Sequence, residues 1–383
     1  MRVLFYGTPE FALPTLEALL EHHEVVGVVT QPDKPAGRGQ RLTSSPVKAR
    51  ALAADAPVLQ PARLRDPEWP ARLAELRADV AVVAAFGQIL PQAVLDVPAR
   101  GSINVHASLL PRYRGAAPIA WAIIRGESET GITTFRMDPG MDTGDILLKE
   151  AIAIGPDETA GELSARLSRL GAKVLLETLG RLDSITPMAQ DHAAATLAPR
   201  LKKEDGRLRL GEPARDLVNR VRGCNPWPGA ALSTPAGRLL IWRAVSVPHH
   251  SSAPPGTLVR CPSPQPSPQG GEGVSKPLSP EGRGKIESPS RPRGEEAPSP
   301  QPSPQGGEGV GPGTLVEAPS PQPSPPRGEG VGPPRGEGVG IATGQGLLLP
   351  VQVQPENRKV MAWEDFLRGS RLAAGARLGE VMG

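Results

Sequence analysis

Residues Ala78–Gly87 read ADVAVVAAFG, an apolar run interrupted by a single aspartate and closed by glycine. A continuous run of this kind suits a parallel strand covered on both faces, not the in–out alternation of a half-exposed sheet. Working outward, strand and helix signals alternate on either side of it. RVLFYG (Arg2–Gly7) is a second buried-strand run, PEFALPTLEALLEH (Pro9–His22) has helical apolar spacing, and EVVGVVT (Glu24–Thr30) is short and β-branched. SPVKARALAAD (Ser45–Asp55) reads as a helix with Ser45 as its N-cap and Pro46 at its first position. Downstream, GSINVHAS (Gly101–Ser108) is a strand, APIAWAIIRG (Ala117–Gly126) a helix and TGITTFRM (Thr130–Met137) another strand. This rhythm predicts an α/β domain built on an open, Rossmann-like, mostly parallel sheet. Ligands of such sheets gather at the carboxyl ends of the strands. The amphipathic stretch Thr159–Leu182 predicts a long helix that closes this first domain over residues 1–182, with a linker over 183–204.

Beyond the linker the signals change. AALSTPAG (Ala230–Gly237), RLLIWRAVSV (Arg238–Val247), GTLVR (Gly256–Arg260) and GIATGQGLLLPVQVQP (Gly340–Pro355) are short strands separated by turns. They predict a small β-barrel over 205–260 and 341–383. Residues 261–340 interrupt it with a Pro/Gly/Ser-rich insert. PSPQPSPQGGEGV occurs at Pro262–Val274 and Pro298–Val310, and a variant, PSPQPSPPRGEGV, at Pro319–Val331. A segment with so little to bury is expected to be disordered. Its copies start 36 and then 21 residues apart, so it is not a solenoid. PGTLVR at Pro255–Arg260 recurs as PGTLVE at Pro312–Glu317, and either copy can supply the strand that pairs with GIATG. A Pro-rich docking tail for a partner is the functional alternative to an expanded repeat.

With 383 residues the chain has room for two cores. A formal net charge of +3 neither requires nor excludes a nucleic-acid partner, so the placement of the basic residues matters more. The two cysteines, Cys224 and Cys261, have no metal or redox spacing and read as reduced thiols of a cytoplasmic chain. The first residues lack a signal-peptide pattern, no run is long enough to span a bilayer, and no metal is expected.

Six histidines occur in all, and one, His106, sits in an apolar strand-like run. A lone histidine there is commonly a core residue satisfied by backbone, but Asn104 is two positions earlier and so shares its face. The Asn104 amide can donate to a developing oxyanion, and His106 can shuttle a proton near neutral pH. Asp142, in the glycine-rich MDPGMDTGD, can bring a carboxylate that orients the ring and stabilises its protonated form. An amine attacking an acyl donor fits this set without a Ser or Cys nucleophile. On residue chemistry alone, a structural network remains equally open.

NVHASLLPRYRGAAPI followed by TGITTFRMDPGMDTGDIL resembles the signature of the 10-formyltetrahydrofolate-dependent formyltransferases, with its spacing intact over 104–147. The resemblance implies that Asn104, His106 and Asp142 are the catalytic set. It also implies that Ser108, Leu109, Leu110 and Pro111 contact the folate, and that 10-formyltetrahydrofolate is the formyl donor. GTPEFA at Gly7–Ala12 is similar to the family's opening loop, and the dinucleotide pattern G-x-G-x-x-G is absent. The family has several acceptors, and three features favour initiator methionyl-tRNA. The loop Gln31–Ala51 carries Lys34, Arg38, Arg41, Lys48 and Arg50 against one acid, Asp33, and resembles the acceptor-arm loop of the methionyl-tRNA branch. NRVRGCNPWPGA (Asn219–Ala230) resembles the start of that branch's C-terminal domain, an OB-like barrel. Lys202 and Lys203, with Arg207, Arg209, Arg220 and Arg222, make the junction basic and suited to RNA backbone. The implied protein is a monomeric cytoplasmic enzyme with no membrane partner. The alternatives are a formyltransferase for a small amine such as a sugar nucleotide, a folate hydrolase, and an inactive RNA-binding descendant.

Overall fold

The computed structural model describes residues 1–36, 41–235, 237–261 and 338–379. The chain opens with β1 (Arg2–Gly7), a 3-10 turn and α1 (Leu13–His22), then β2 (Glu24–Val29). A small antiparallel hairpin of β3 (Lys34–Ala36) and β4 (Arg41–Thr43) follows. The expected helix comes next as α2 (Pro46–Leu52). Ser45 caps it by accepting the Lys48 N–H at 3.0 Å, and Pro46 fits its first turn, where no amide donor is needed. Then come β5 (Val58–Leu59), α3 (Trp69–Ala74), β6 (Val80–Ala84), α4 (Gln92–Leu95), β7 (Ser102–His106), α5 (Pro118–Ile124), β8 (Glu129–Arg136) and β9 (Ile146–Ala153). The long helix α6 spans Ala160–Gly180 and starts at a capping box, in which Thr159 and Glu162 satisfy each other's backbone amides.

These strands form one seven-stranded sheet in the order β5-β2-β1-β6-β7-β8-β9. Pairings from β5 through β7 are parallel, and β8 and β9 are antiparallel. The order reverses between β1 and β6, which opens a crevice beyond their carboxyl ends. Every residue of β6 is buried, as its unbroken apolar run predicts. Its alternating side chains feed two cores. Val80 and Val82 pack with α1 and α6, whereas Ala81 and Val83 pack with α3 and α4. In β7, Ile103 and Val105 join the core under α1 and α6, so Asn104 and His106 face the other side. On that side Ser102, at the start of β7, meets α4 through the Leu95 carbonyl, and Leu110 packs with Phe135 and Ile146 further along.

After the segment 183–204, α7 (Ala214–Gly223) leads into β10 (Ala230–Thr234), β11 (Gly237–Val247), β12 (Leu258–Cys261), β13 (Gly338–Ala342), β14 (Leu347–Pro355), β15 (Met361–Ala362) and α8 (Trp363–Ser370). The GIATG stretch and the following apolar run form two strands of a hairpin. The antiparallel order is β10-β11-β14-β13-β12. Single bridges from Gly379 to Ser233 and from Arg377 to Thr257 let the chain's last described residues link the two edge strands, which closes the sheet on itself. Leu217 and Val221 of α7 and Trp363 and Phe366 of α8 fill its core. Gly223 is required where α7 crosses α5: a Cβ there would lie 2.5 Å from Ile124 Cγ1 and 2.9 Å from the Ala120 carbonyl.

The first GTLV copy is the one that pairs, Leu258 opposite Ile341 and Cys261 opposite Gly338. Cys261 ends β12 and Gly338–Gly340 begin β13, so the strands reach into the range 261–340; residues 262–337, with the second copy, lie outside the described residues, as does Arg38. Both cysteines are free and buried; burial pushes the Cys224 thiol up to about 12 and the Cys261 thiol above its usual value. Cys261 and Gly338 are direct partners on neighbouring strands, so the 76 residues between them leave and re-enter the sheet at one point. Replacing residues 262–337 by Asn-Gly is expected to close β12 and β13 with a two-residue turn and to raise stability by about 3 kcal/mol through loop closure. Urea unfolding of the two chains checks this; a less stable shortened chain would contradict it.

Candidate active site

The fold brings Asn104, His106 and Asp142 to one place. His106 is 6% exposed and sits at the carboxyl end of β7. Its Nε2 is 3.0 Å from the Tyr113 carbonyl, which can only accept, so the ring carries a proton there. Nδ1 is the open edge, and it faces the Asp142 carboxylate at 3.7 Å. Asp142 lies on the loop joining β8 to β9, with φ of 54°, a conformation that L residues rarely hold unless their surroundings fix it. Its carboxylate accepts the Gly115 N–H at 2.8 Å. Asn104 is half-buried beside them, and its side-chain amide has no hydrogen-bond partner among the described residues. The site therefore holds a fixed imidazole, a carboxylate beside its free nitrogen and an uncommitted amide donor. Such a set can stabilise an oxyanion and move one proton.

The loop Ala107–Ala117 supplies the walls. Thr133 in β8 receives the Leu110 N–H at 3.1 Å and donates to the Ser108 carbonyl at 2.7 Å, and so fixes the turn. Ser108 and Leu110 are turned inward. The Ser108 hydroxyl donates to the Arg112 carbonyl at 2.7 Å, and Leu110 is 1% exposed. Of the four expected folate-contacting residues, Leu109 and Pro111 keep partly exposed side chains, and those of Ser108 and Leu110 are buried in the turn. The reason is local: the turn needs the hydroxyl for its own backbone, and the leucine packs against β8.

The sequence reading missed the loop after β6. Ala85 has φ of 48°, and the Phe86 carbonyl accepts both the Thr8 hydroxyl and the Gln31 side-chain amide at 3.0 Å. This loop lies at the strand-order reversal, the one signal that could have marked it. Beside it opens a cavity of about 540 Å³ lined by Arg63, Leu64, Arg65, Gln88, Ile89 and Pro91, and Ile89 is 83% exposed.

The basic residues divide. Lys34 donates to Gln31 at 2.6 Å, so the β3–β4 hairpin is tied to the loop after β6. Lys48 pairs with Asp33 at 2.7 Å, and with the Gln60 amide it holds that carboxyl below its usual range. Lys202 and Lys203 are exposed at the turn before Gly206. Arg41 lies in β4. Arg222, by contrast, donates to the Gly155 and Glu158 carbonyls, and Arg220 to the Asp205 carbonyl; charge counting alone could not show that they serve the fold. Among the described residues no three His, Cys, Asp or Glu side chains converge as a metal site, and no helix is long and apolar enough to cross a membrane.

Two family models match the chain, Formyl transferase over residues 1–179 and Formyl transferase, C-terminal domain, over 200–264. Methionyl-tRNA formyltransferases of Solibacter usitatus and Sorangium cellulosum are each 52% identical over 263 residues, covering 68% of this chain and 85% of the relative. That of Symbiobacterium thermophilum is 53% identical and covered over 81% of its length. An N-formyltransferase of Helicobacter canadensis, solved with folinic acid and dTDP-3-aminofucose, shares the fold, with a TM-score of 0.52, 18% identity and coverage of 65% of this chain and 89% of that one.

Replacing Thr133 by Val keeps the shape of this buried residue and removes both loop bonds. Leaving the Leu110 N–H and Ser108 carbonyl unpaired is expected to cost about 2–6 kcal/mol, from roughly 1–3 for each group. Denaturant unfolding measures it, and a loss below about 0.5 kcal/mol would contradict the assigned role of Thr133.

Proposed function

The chain belongs to the formyl transferase family, in its methionyl-tRNA branch, and on that premise we propose that it formylates the α-amino group of methionine on initiator tRNA, with 10-formyltetrahydrofolate as donor. The observation that carries the reading is the uncommitted Asn104 amide beside a ring whose other nitrogen is already fixed. The neutral amine attacks the formyl carbon, and the carbonyl electron pair moves to oxygen. Asn104 and the Nδ1–H of protonated His106 stabilise the oxyanion. Collapse breaks the bond to the folate nitrogen. His106 gives that nitrogen a proton and takes the one the amine loses, so the products are the formylated aminoacyl-tRNA and tetrahydrofolate. Asp142, 3.7 Å from Nδ1, keeps the ring oriented.

Leu109 and Pro111 wall the folate, with Ser108 and Leu110 shaping their turn. The cavity at the strand-order reversal suits its remaining length, and Arg63 and Arg65 suit its terminal carboxylates. Lys34, Arg38, Arg41 and Lys48, all from the stretch Gln31–Ala51, and Lys202 and Lys203 at the junction, take the RNA backbone. A phosphate near Lys48 competes with Asp33. The partners are then initiator methionyl-tRNA and the folate, and the enzyme works in the cytoplasm as a monomer without a metal.

Replacing Asn104 by Ala is expected to lower kcat about 10²–10³-fold, the usual cost of one oxyanion donor, with the KM for folate largely kept. Steady-state formyl transfer reads it, and turnover near that of the unchanged protein would sink the assignment. Replacing Arg63 and Arg65 together by Ala is expected to raise the KM for folate about tenfold, roughly 1.4 kcal/mol, with kcat unchanged. An unchanged KM would remove the folate tail from this cavity.

A further inference from the structure

The segment that leaves the first domain does more than connect. Met188 pairs with Ile146 through backbone bonds of 2.8 and 2.9 Å, which lays the chain against the edge of the sheet beside the Asp142 loop. Gln190 follows and is 6% exposed. Its Nε2 donates to the Asp142 carbonyl at 2.9 Å and to the Gly144 carbonyl at 2.7 Å. Its Oε1 accepts from Arg114 Nη2 at 2.7 Å and Nε at 3.2 Å. One amide therefore has both of its ends in use. Arg114 can only donate, so it dictates which end of the amide faces the loop. Arg114 is itself buried, at 7% exposure, and forms no ion pair with a described carboxylate; its other contact is His192 Nδ1 at 3.1 Å.

Asp142 needs such support. Its backbone is in the left-handed region, and in that conformation the Gly115 N–H holds the carboxylate beside His106. The peptide carbonyl leaving Asp142 is held by Gln190. We propose that Gln190 is a positioning residue for the transfer reaction: braced by Arg114, it fixes the Asp142 backbone so that the carboxylate faces His106 Nδ1. The proposal rests on the reading of Asp142 as the carboxylate that orients the ring.

The test uses the full chain and four variants: Gln190→Ala, Gln190→Glu, Asp142→Asn and the double Gln190→Ala/Asp142→Asn. Glu keeps the volume and the acceptor for Arg114 but loses both donations, so it serves if the Ala variant does not fold. Either Gln190 variant is expected to lower kcat about 10–100-fold, as a small misplacement of a reacting group does, with KM for both substrates within about twofold. Asp142→Asn lowers kcat as well. The double variant is expected to be no slower than Asp142→Asn alone, because with the carboxylate gone its placement no longer matters. A merely structural role would instead add to the Asp142→Asn loss. Unchanged kcat in both Gln190 variants, a loss confined to KM, or additivity in the double variant overturns the proposal while leaving the reading of Asp142 intact. Unchanged turnover in Asp142→Asn overturns that reading, and the proposal with it.

Discussion

The two-residue period of β7 is the constraint on which the rest depends. Ile103 and Val105 are buried under α1 and α6, and this alone turns Asn104 and His106 to the opposite face. A slip of one residue would bury the amide and the imidazole beneath α6 and expose the two aliphatic side chains, at a cost the core does not allow. On the opposite face α4 reaches the start of β7 at Ser102, and a loop leucine, Leu110, packs against β8. The same loop returns the Tyr113 carbonyl to His106 and the Gly115 amide to Asp142. Packing on one face of a strand thus determines the chemistry on the other.

The site is held almost wholly by neutral backbone groups. A carbonyl fixes one edge of the ring, an amide N–H fixes the carboxylate, and the Gln190 side chain fixes the backbone between them. Such partners orient the two side chains and add no charge of their own. Charge is used at the rim instead. Lys34 reaches Gln31, and Gln31 reaches the Phe86 carbonyl, so the basic hairpin and the loop at the strand-order reversal are linked by hydrogen bonds.

Much of this was legible in the sequence, for physical reasons. The apolar run within Ala78–Gly87 read as a strand buried on two faces, and Ser45 announced a helix start because its hydroxyl accepts one of the first amides. Asn104 and His106 were legible as a pair because strand alternation is strict. The inward turn of Ser108 was not, because the partner that claims its hydroxyl is a carbonyl four residues on, in an irregular loop. Gln190 left no trace, since a lone polar residue in an aperiodic segment carries no signal until the fold brings Asp142 to it. Arg220 and Arg222 counted as surface charge until their carbonyl partners were seen. The closure of the second sheet rests on single bridges from Arg377 and Gly379, too short to leave a pattern.

The most direct test is acceptor choice by the unchanged chain. Labelled 10-formyltetrahydrofolate is supplied with methionyl initiator tRNA, with the same tRNA lacking its methionine, or with a small amino-sugar nucleotide. The account predicts label on the methionyl-tRNA alone. Label on the amino sugar with none on methionyl-tRNA would contradict it and make the basic hairpin incidental; RNA binding without transfer to any acceptor would contradict the reading of Asn104, His106 and Asp142.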